Sequence, residues 1–372
     1  MHRIALIGAN GQVGAELCLL LAREAGVALV PVCRTRSGSA FLRAHGIPVR
    51  HGSCADAAQA RTLLGDCDVV VNSALATGSP GQIRASEDAI IAGALHGSGP
   101  GARVIHFSTQ SVYGDPTPGR LVRWRNPYGR AKLGTERTGL RIARRLGKPL
   151  YVLRLGHVGG LLQGISEQMR AAMVAGEVLL PARDVPSNLV YTATIVDAIR
   201  RIAAGTVPPG VYDLMCAPQL GWREVHEIEG RIAGIHAPIL RAAAPATPAS
   251  PLRGALRGLA RLFVGERSRN GIAKLLAHAP PRLNARAHAW WHLARARAEI
   301  SRLHRHEVPP AHLGWVANGS RFIEGLTPTR ELLARAPYQD LLTTGRKPWP
   351  EDLPPAAAQL PSAAPRFLST AT

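Results

Sequence analysis

"HRIALIGANGQVGAELCLLLAREAG", residues 2–26, decides the fold. Residues 2–8 form a continuous apolar run, the pattern of a strand buried on both faces. Residues 12–26 carry helical periodicity. Between them "GANGQVG" places Gly8, Gly11 and Gly14 at the strand-to-helix junction. The first glycine permits a tight turn, the second lets backbone approach a pyrophosphate, and the third allows close helix packing. The backbone around Asn10, Gln12 and Val13 then faces the ligand, and the helix N-terminus supplies N–H groups and positive potential. A plain tight turn would not need all three glycines. The junction therefore reads as a dinucleotide cradle.

Outward from this unit the pattern repeats. Strand-like runs are expected at 27–34, 47–52, 67–74, 102–109 and 149–156, with helices in the gaps. Apolar strands alternating with helices imply a doubly wound parallel sheet of the Rossmann type, an α/β fold. We expect 1–157 to be the dinucleotide-binding domain, with elements near 178–215 returning to it. Residues 158–335 are expected to form a smaller C-terminal substrate lobe. Within that lobe, helices are expected at 164–176, 193–204 and 221–233, and strands in "EVLLP", "SNLVY" and "GVYDLM". Residues 238–306 read as a helical basic insertion opened by a Pro/Ala-rich linker. Residues 345–372 read as a Pro/Ala-rich disordered tail.

The chain has 372 residues, 46% of them hydrophobic, and a formal charge of +20. Arginine carries nearly all of that charge, since the only lysines are Lys132, Lys148, Lys274 and Lys347. Such a surface either reflects composition bias or meets an anionic partner. Aromatic residues are few and do not interleave with the arginines, which argues against nucleic acid. The cysteines Cys18, Cys33, Cys54, Cys67 and Cys216 form no CxxC pair, so neither a zinc site nor a disulfide framework is expected, and no metal is assigned. No leader-like segment and no run long enough to span a bilayer stands out. The expected location is cytoplasmic, or peripheral to the inner face of a membrane.

The end of the second strand discriminates between cofactors. An acid there would bind the ribose hydroxyls of NAD. This chain has Arg34, Thr35 and Arg36 instead. Two guanidiniums suit a 2′-phosphate, which favours NADP over NAD.

The fifth strand runs out into "HFSTQSVYG" (106–114), and the next helix opens "NPYGRAKLGTE" (126–136). Tyr128 and Lys132 stand at i and i+4, hence on one helical face. Thr109 leaves the carboxyl end of a central strand, where doubly wound sheets bind ligands. A free tyrosine titrates near pH ~10, so acid–base work near neutrality asks for a lower value. A nearby ammonium and the positive charge of an oxidised nicotinamide both favour the phenolate.

The ordered set GxxGxxG, ST-x-x-VYG and YxxxK resembles the extended short-chain dehydrogenase/reductase superfamily, in particular its NAD-dependent epimerase/dehydratase branch. The resemblance covers roughly residues 1–230 and 300–330. It implies hydride transfer with Tyr128 as acid–base group, Thr109 as the hydroxyl beside it and Lys132 as the lysine. Tyr128 and Lys132 would also meet the cofactor, with Ala74 as the small residue beside it. Ser53 stands where the family often has an acid near the adenine. His157 stands where sugar-nucleotide epimerases often have asparagine, and Gln110, Ser111 and His157 are the candidate substrate contacts. Gln110 and Ser111 also occupy the place where a dehydratase needs an acid pair, which argues against water elimination. Gly159 and the pair Ala193–Thr194 depart from the family's usual residues.

The activity implied is an NAD(P)-dependent epimerase or ketoreductase acting on a nucleotide sugar or similar small polar metabolite. The alternatives are an NADPH-dependent reductase of a hydrophobic ketone or aldehyde and a non-catalytic dinucleotide sensor. The resemblance makes a homodimer reasonable. Residues 250–269 pattern as a basic amphipathic helix with Leu252, Leu256, Leu259 and Phe263 on one face. It reads either as a contact with anionic membrane or as a helix docked on the lobe.

Overall fold

The computed structural model describes residues 1–76, 80–114, 127–175, 178–180, 186–235, 240–242 and 321–344. The strands are β1 (His2–Ile7), β2 (Val27–Cys33), β3 (Arg50–His51), β4 (Val69–Asn72), β5 (Arg103–Thr109), β6 (Leu150–Leu155), β7 (His157–Gly159), β8 (Val178–Leu180), β9 (Leu189–Tyr191), β10 (Gly210–Leu214) and β11 (Leu240–Ala242). The helices are α1 (Gln12–Leu21), α2 (Ala40–Ala44), α3 (Ala57–Leu64), α4 (Pro80–Gly97), α5 (Pro127–Leu146), α6 (Gly164–Ala175), α7 (Thr192–Ala203), α8 (Trp222–Ile232), α9 (Thr329–Ala334) and α10 (Ala336–Thr344).

Seven strands form one parallel sheet in the order β10-β6-β5-β4-β1-β2-β3. Helices α3, α4 and α5 pack side by side on one face, and α1, α7, α9 and α10 pack together on the other. This is a Rossmann-type doubly wound fold. The order reverses between β1 and β4, so a crevice opens there beyond the carboxyl ends of the strands. Burial follows from the double covering. Ile4, Ala5 and Leu6 in β1 and Val69, Val70 and Val71 in β4 are all fully buried. On the α3–α5 face, Ile91, Leu95, Val104 and Val152 join Val70 in one cluster. Burying each such side chain stabilises the fold by roughly 1.5–3 kcal/mol before chain entropy is counted.

Local signals set the element ends. Asp56 caps α3, its carboxylate accepting the Gln59 N–H at 2.9 Å. Helix α1 stops at Leu21 rather than continuing to residue 26 as its pattern suggests. Gly26 (φ 78°) turns the chain, and the Gly26 carbonyl accepts the His2 N–H at the start of β1. β3 is shorter than the expected 47–52, because the Ile47 N–H turns back to the Leu42 carbonyl instead of joining the ladder.

The chain divides into two compact units. One comprises Met1–Glu167, Val185–Gly221 and the described part of Pro309–Thr372; the other comprises the described parts of Gln168–Asp184 and Trp222–Val308. The first unit is therefore discontinuous in sequence. After the second unit's first segment the chain returns to the sheet, and β10 adds to it outside β6. β7 and β9 form a separate parallel pair in the first unit. In the second unit β8 and β11 pair in parallel, and Arg170 meets the buried Glu229 at 2.6 Å. β11 lies within 238–251, where the sequence reads as linker. The amphipathic segment 250–269, the remainder of the 238–306 insertion and the 345–372 tail lie outside the described residues. Among the described residues no helix is long and apolar enough to cross a membrane.

Candidate active site

The turn after β1 needs its outer glycines. Gly8 has φ 79°, and a Cβ there would stand 2.7 Å from the backbone N and Cα of Ala74. A Cβ on Gly14 would overlap the Gly8 carbonyl oxygen. Gly11 caps α1 without a side-chain hydrogen bond of its own, so the cap residue leaves the helix's first N–H groups uncovered. Helix N-terminus, bare backbone and two enforced glycines together fit a pyrophosphate. Gln12 and Val13 are half-buried at that terminus and Asn10 is exposed.

The loop after β2 closes on the same turn. The Asn10 N–H reaches the Cys33 thiol, which burial pushes up to about 11. The Asn10 side chain approaches Gly38, whose N–H donates to Thr35 Oγ1 at 3.1 Å. Arg34 and Arg36 are exposed, and no acid among the described residues pairs with either guanidinium. Ser53 sits beyond β3 and makes local bonds, its N–H donating to Gln59 and its Oγ accepting from Ala55.

Thr109 ends β5 with its side chain turned into the next residues. Its Oγ1 accepts the Ser111 N–H at 3.2 Å and lies 3.3 Å from Ser111 Oγ. Tyr128, one residue into α5, hydrogen-bonds the Thr109 hydroxyl. Lys132 Nζ lies 5.9 Å from the Tyr128 ring centroid. The structure thus brings Thr109, Ser111, Tyr128 and Lys132 together.

The electrostatics differ from the expected lowering of Tyr128. Desolvation of the phenol raises its pKa although the residue as a whole is 38% exposed; Lys132 and Thr109 lower it, and Glu87 on α4 raises it further. The two charges acting on the phenol form a buried pair. Glu87 Oε1 lies 3.0 Å from Lys132 Nζ, with side-chain exposures of 2% and 5%.

Further polar groups lie beneath this set. Glu136, one turn beyond Lys132 on α5, accepts from Ser108 Oγ at 2.5 Å and pairs with Arg154 on β6 at 2.7 Å. Arg154 also donates to the Tyr113 hydroxyl at 2.9 Å, and Tyr113 donates to Asp213 on β10 at 2.6 Å. His106 on β5 bonds Asn72 at 3.2 Å, and burial holds it neutral down to about 3. Glu16 on α1 is fully buried and collects four donors from Leu161, Leu162, Gln163 and Thr192. None of these acids was singled out from sequence. The one signal available was spacing, since Glu136 repeats the Tyr128–Lys132 step of four.

Gln110 is 4% exposed, and its amide Nε2 has no partner among the described residues. Its Oε1 approaches Gly156, the neighbour of His157. His157 itself is half-buried, its N–H donating to the Asn188 carbonyl at 3.1 Å.

The model of the NAD dependent epimerase/dehydratase family matches residues 4–180. Over that span the resemblance drawn from the three ordered motifs is borne out. Among solved structures, UDP-N-acetylglucosamine 4-epimerase from Bacillus cereus is similar over 65% of this chain and 85% of its own, at 18% identity and a TM-score of 0.50. UDP-glucuronic acid 4-epimerase from Bacillus cereus, in complex with NAD, covers 65% and 87% at 18% identity and a TM-score of 0.48. A dTDP-4-dehydrorhamnose reductase from Clostridium acetobutylicum covers 67% and 85% at 17% identity and a TM-score of 0.47. At these identities the likeness is one of fold. None of the curated proteins compared matches the sequence.

Proposed function

We propose that this chain, whose residues 4–180 are a domain of the NAD-dependent epimerase/dehydratase family, is an NAD(P)-dependent epimerase or ketoreductase acting on a nucleotide sugar or similar polar metabolite. One observation carries the reading. The Thr109–Tyr128 hydrogen bond lies at the carboxyl end of β5, with Lys132 one helical turn further on, in the same unit as the Gly8–Gly14 turn.

The dinucleotide supplies the hydride chemistry, and the protein supplies binding and orientation. Gly8, Gly11 and Gly14 leave room for the pyrophosphate, and the N-terminus of α1 meets its charge. Tyr128 and Lys132 bind the nicotinamide half. Tyr128 gives or takes a proton at a substrate hydroxyl or carbonyl oxygen, and Thr109 holds that oxygen by a hydrogen bond. Gln110, Ser111 and His157 are substrate contacts, a role supported by the unpartnered amide of Gln110. NADP is favoured over NAD, because Arg34 and Arg36 are exposed after β2 and no acid among the described residues pairs with them.

The test begins with the nucleotide released when the purified full chain is denatured, followed by titration with NADP and NAD. NADP should bind more tightly. Replacing both Arg34 and Arg36 with serine should weaken NADP by about tenfold or more, the loss of roughly one charge-assisted pair, and leave NAD nearly unchanged. Tyr128→Phe should abolish turnover with little change in dinucleotide affinity. A protein that binds neither dinucleotide ends the proposal, and equal losses for both end the NADP preference. An epimerase returns its dinucleotide unchanged, whereas a reductase consumes it.

A further inference from the structure

We infer that Glu87 is a positioning residue for the Tyr128–Lys132 pair, holding the ammonium from α4 and cancelling much of its charge as felt by the phenol. The inference rests on the reading of Tyr128 as the proton-transfer group.

Three observations carry it. Glu87 and Lys132 lie 3.0 Å apart on adjacent helices, both almost fully buried. Neither carboxylate oxygen of Glu87 takes any other hydrogen bond among the described residues. The carboxylate is therefore committed to the lysine rather than shared with backbone or solvent. Lys132 Nζ in turn lies 5.9 Å from the Tyr128 ring centroid, so the pair is a charged neighbourhood of the phenol.

Among the described residues, the other charged groups near this pair are as follows. From α4, Arg84 and Asp88 engage each other at 2.7 Å, with Arg84 lying over Gly134. From β5, His106 is neutral throughout the working range. From the 3-10 turn after β5, Tyr113 is bonded to Asp213 and Arg154. From β6, Arg154 is paired with Glu136, and on α5 itself Arg130 is exposed.

A lone buried ammonium would stabilise the phenolate strongly. An ammonium locked to a carboxylate does so weakly, because the two charges nearly cancel at the phenol oxygen. In the free protein the site is thus set for a protonated Tyr128. Any further positive charge brought in with a ligand would then act on a phenol not yet ionised.

The experiment follows Tyr128 itself. Phenolate absorbance is titrated in the parent and in Glu87→Gln, each corrected by the same protein carrying Tyr128→Phe. The parent should show a Tyr128 midpoint above the ordinary ~10. In Glu87→Gln the midpoint should fall by about one pH unit or more, the scale of one neighbouring charge. Adding Lys132→Met to Glu87→Gln should raise it again. If Glu87→Gln fails to fold, Glu87→Asp keeps the charge but lengthens the pair, and a smaller fall is expected. A midpoint that is unchanged or higher in the folded variant overturns the inference. The titration needs neither dinucleotide nor substrate. A parent that binds no dinucleotide would sink the proposed reaction and leave this result standing.

Discussion

Replacing Glu16 with glutamine keeps the side chain's shape and removes one acceptor oxygen. In the parent, Oε1 accepts from the Leu161 N–H at 2.8 Å and from the Thr192 hydroxyl at 2.6 Å. Oε2 accepts from the Leu162 N–H at 2.8 Å and from the Gln163 amide at 2.7 Å. A glutamine must turn its NH2 toward one of these pairs. Toward Oε1, the Thr192 hydroxyl can rotate to accept, but the Leu161 N–H is left facing another donor. Toward Oε2, the Leu162 N–H is stranded in the same way. Either orientation orphans one buried backbone donor, at a cost of about 1–3 kcal/mol. The remaining bonds also lose their charge assistance. Against this, burial pushes the Glu16 carboxyl up, so the neutral amide recovers some desolvation. The net expectation is a loss of about 2 kcal/mol. Urea unfolding followed by circular dichroism reads it as a lower midpoint at unchanged slope. Thr192→Val, which removes one donor and strands nothing, should cost about 1 kcal/mol or less. A Glu16→Gln variant as stable as the parent would refute the reasoning, because desolvation would then outweigh four donors.

Three further outcomes are expected. His106 stays neutral to about 3 in the folded chain but takes a proton near ~6.5 when unfolded, so the unfolded state binds more protons between those values. Stability should therefore be fully present above pH ~6.5 and fall by about 2 kcal/mol by pH ~5, a dependence that flattens in His106→Asn and is read by urea unfolding across that range. Gly14→Ala drives a Cβ into the Gly8 carbonyl, at an overpacking cost of about 1–3 kcal/mol, and should weaken dinucleotide affinity about tenfold, measured by calorimetric titration. Lys148→Met removes the ammonium that bonds the Leu95 and Ser98 carbonyls at the end of α4, at 2.7 and 2.5 Å, and should lower stability by about 1–3 kcal/mol in the same unfolding assay.

The parallel sheet and the turn were legible because each is written within a few neighbouring residues. Val69, Val70 and Val71 are apolar whichever face they meet, and a strand–Gly–helix junction carries its own steric logic. The Tyr128–Lys132 step is likewise local to one helix turn. The residues that escaped sequence reading are acids whose meaning is set from far away in the chain. Glu16 meets Thr192, Glu87 meets Lys132, and Glu136 meets Arg154. On its own helix each is a charged residue with a default reading as solvated surface. Only the packing of α1 beside α7, and of α4 beside α5, takes those positions out of water. Helix ends were misjudged for the same reason in reverse. The pattern of α1 continues past Leu21, yet the chain must turn at Gly26 to enter β2 in register with β1.

These hidden acids alter what the legible motif means. Read alone, Tyr128 and Lys132 predict a phenol eased toward ionisation by its lysine. With Glu87 in place the lysine's charge is already answered, and the pKa of the partly exposed phenol moves up rather than down. The same two residues at the same spacing can therefore belong to a base poised in the free protein or to an acid that waits for a ligand's charge. The sequence spacing is common to both. The side chain on α4 that faces Lys132 is what separates them, and here it is a carboxylate.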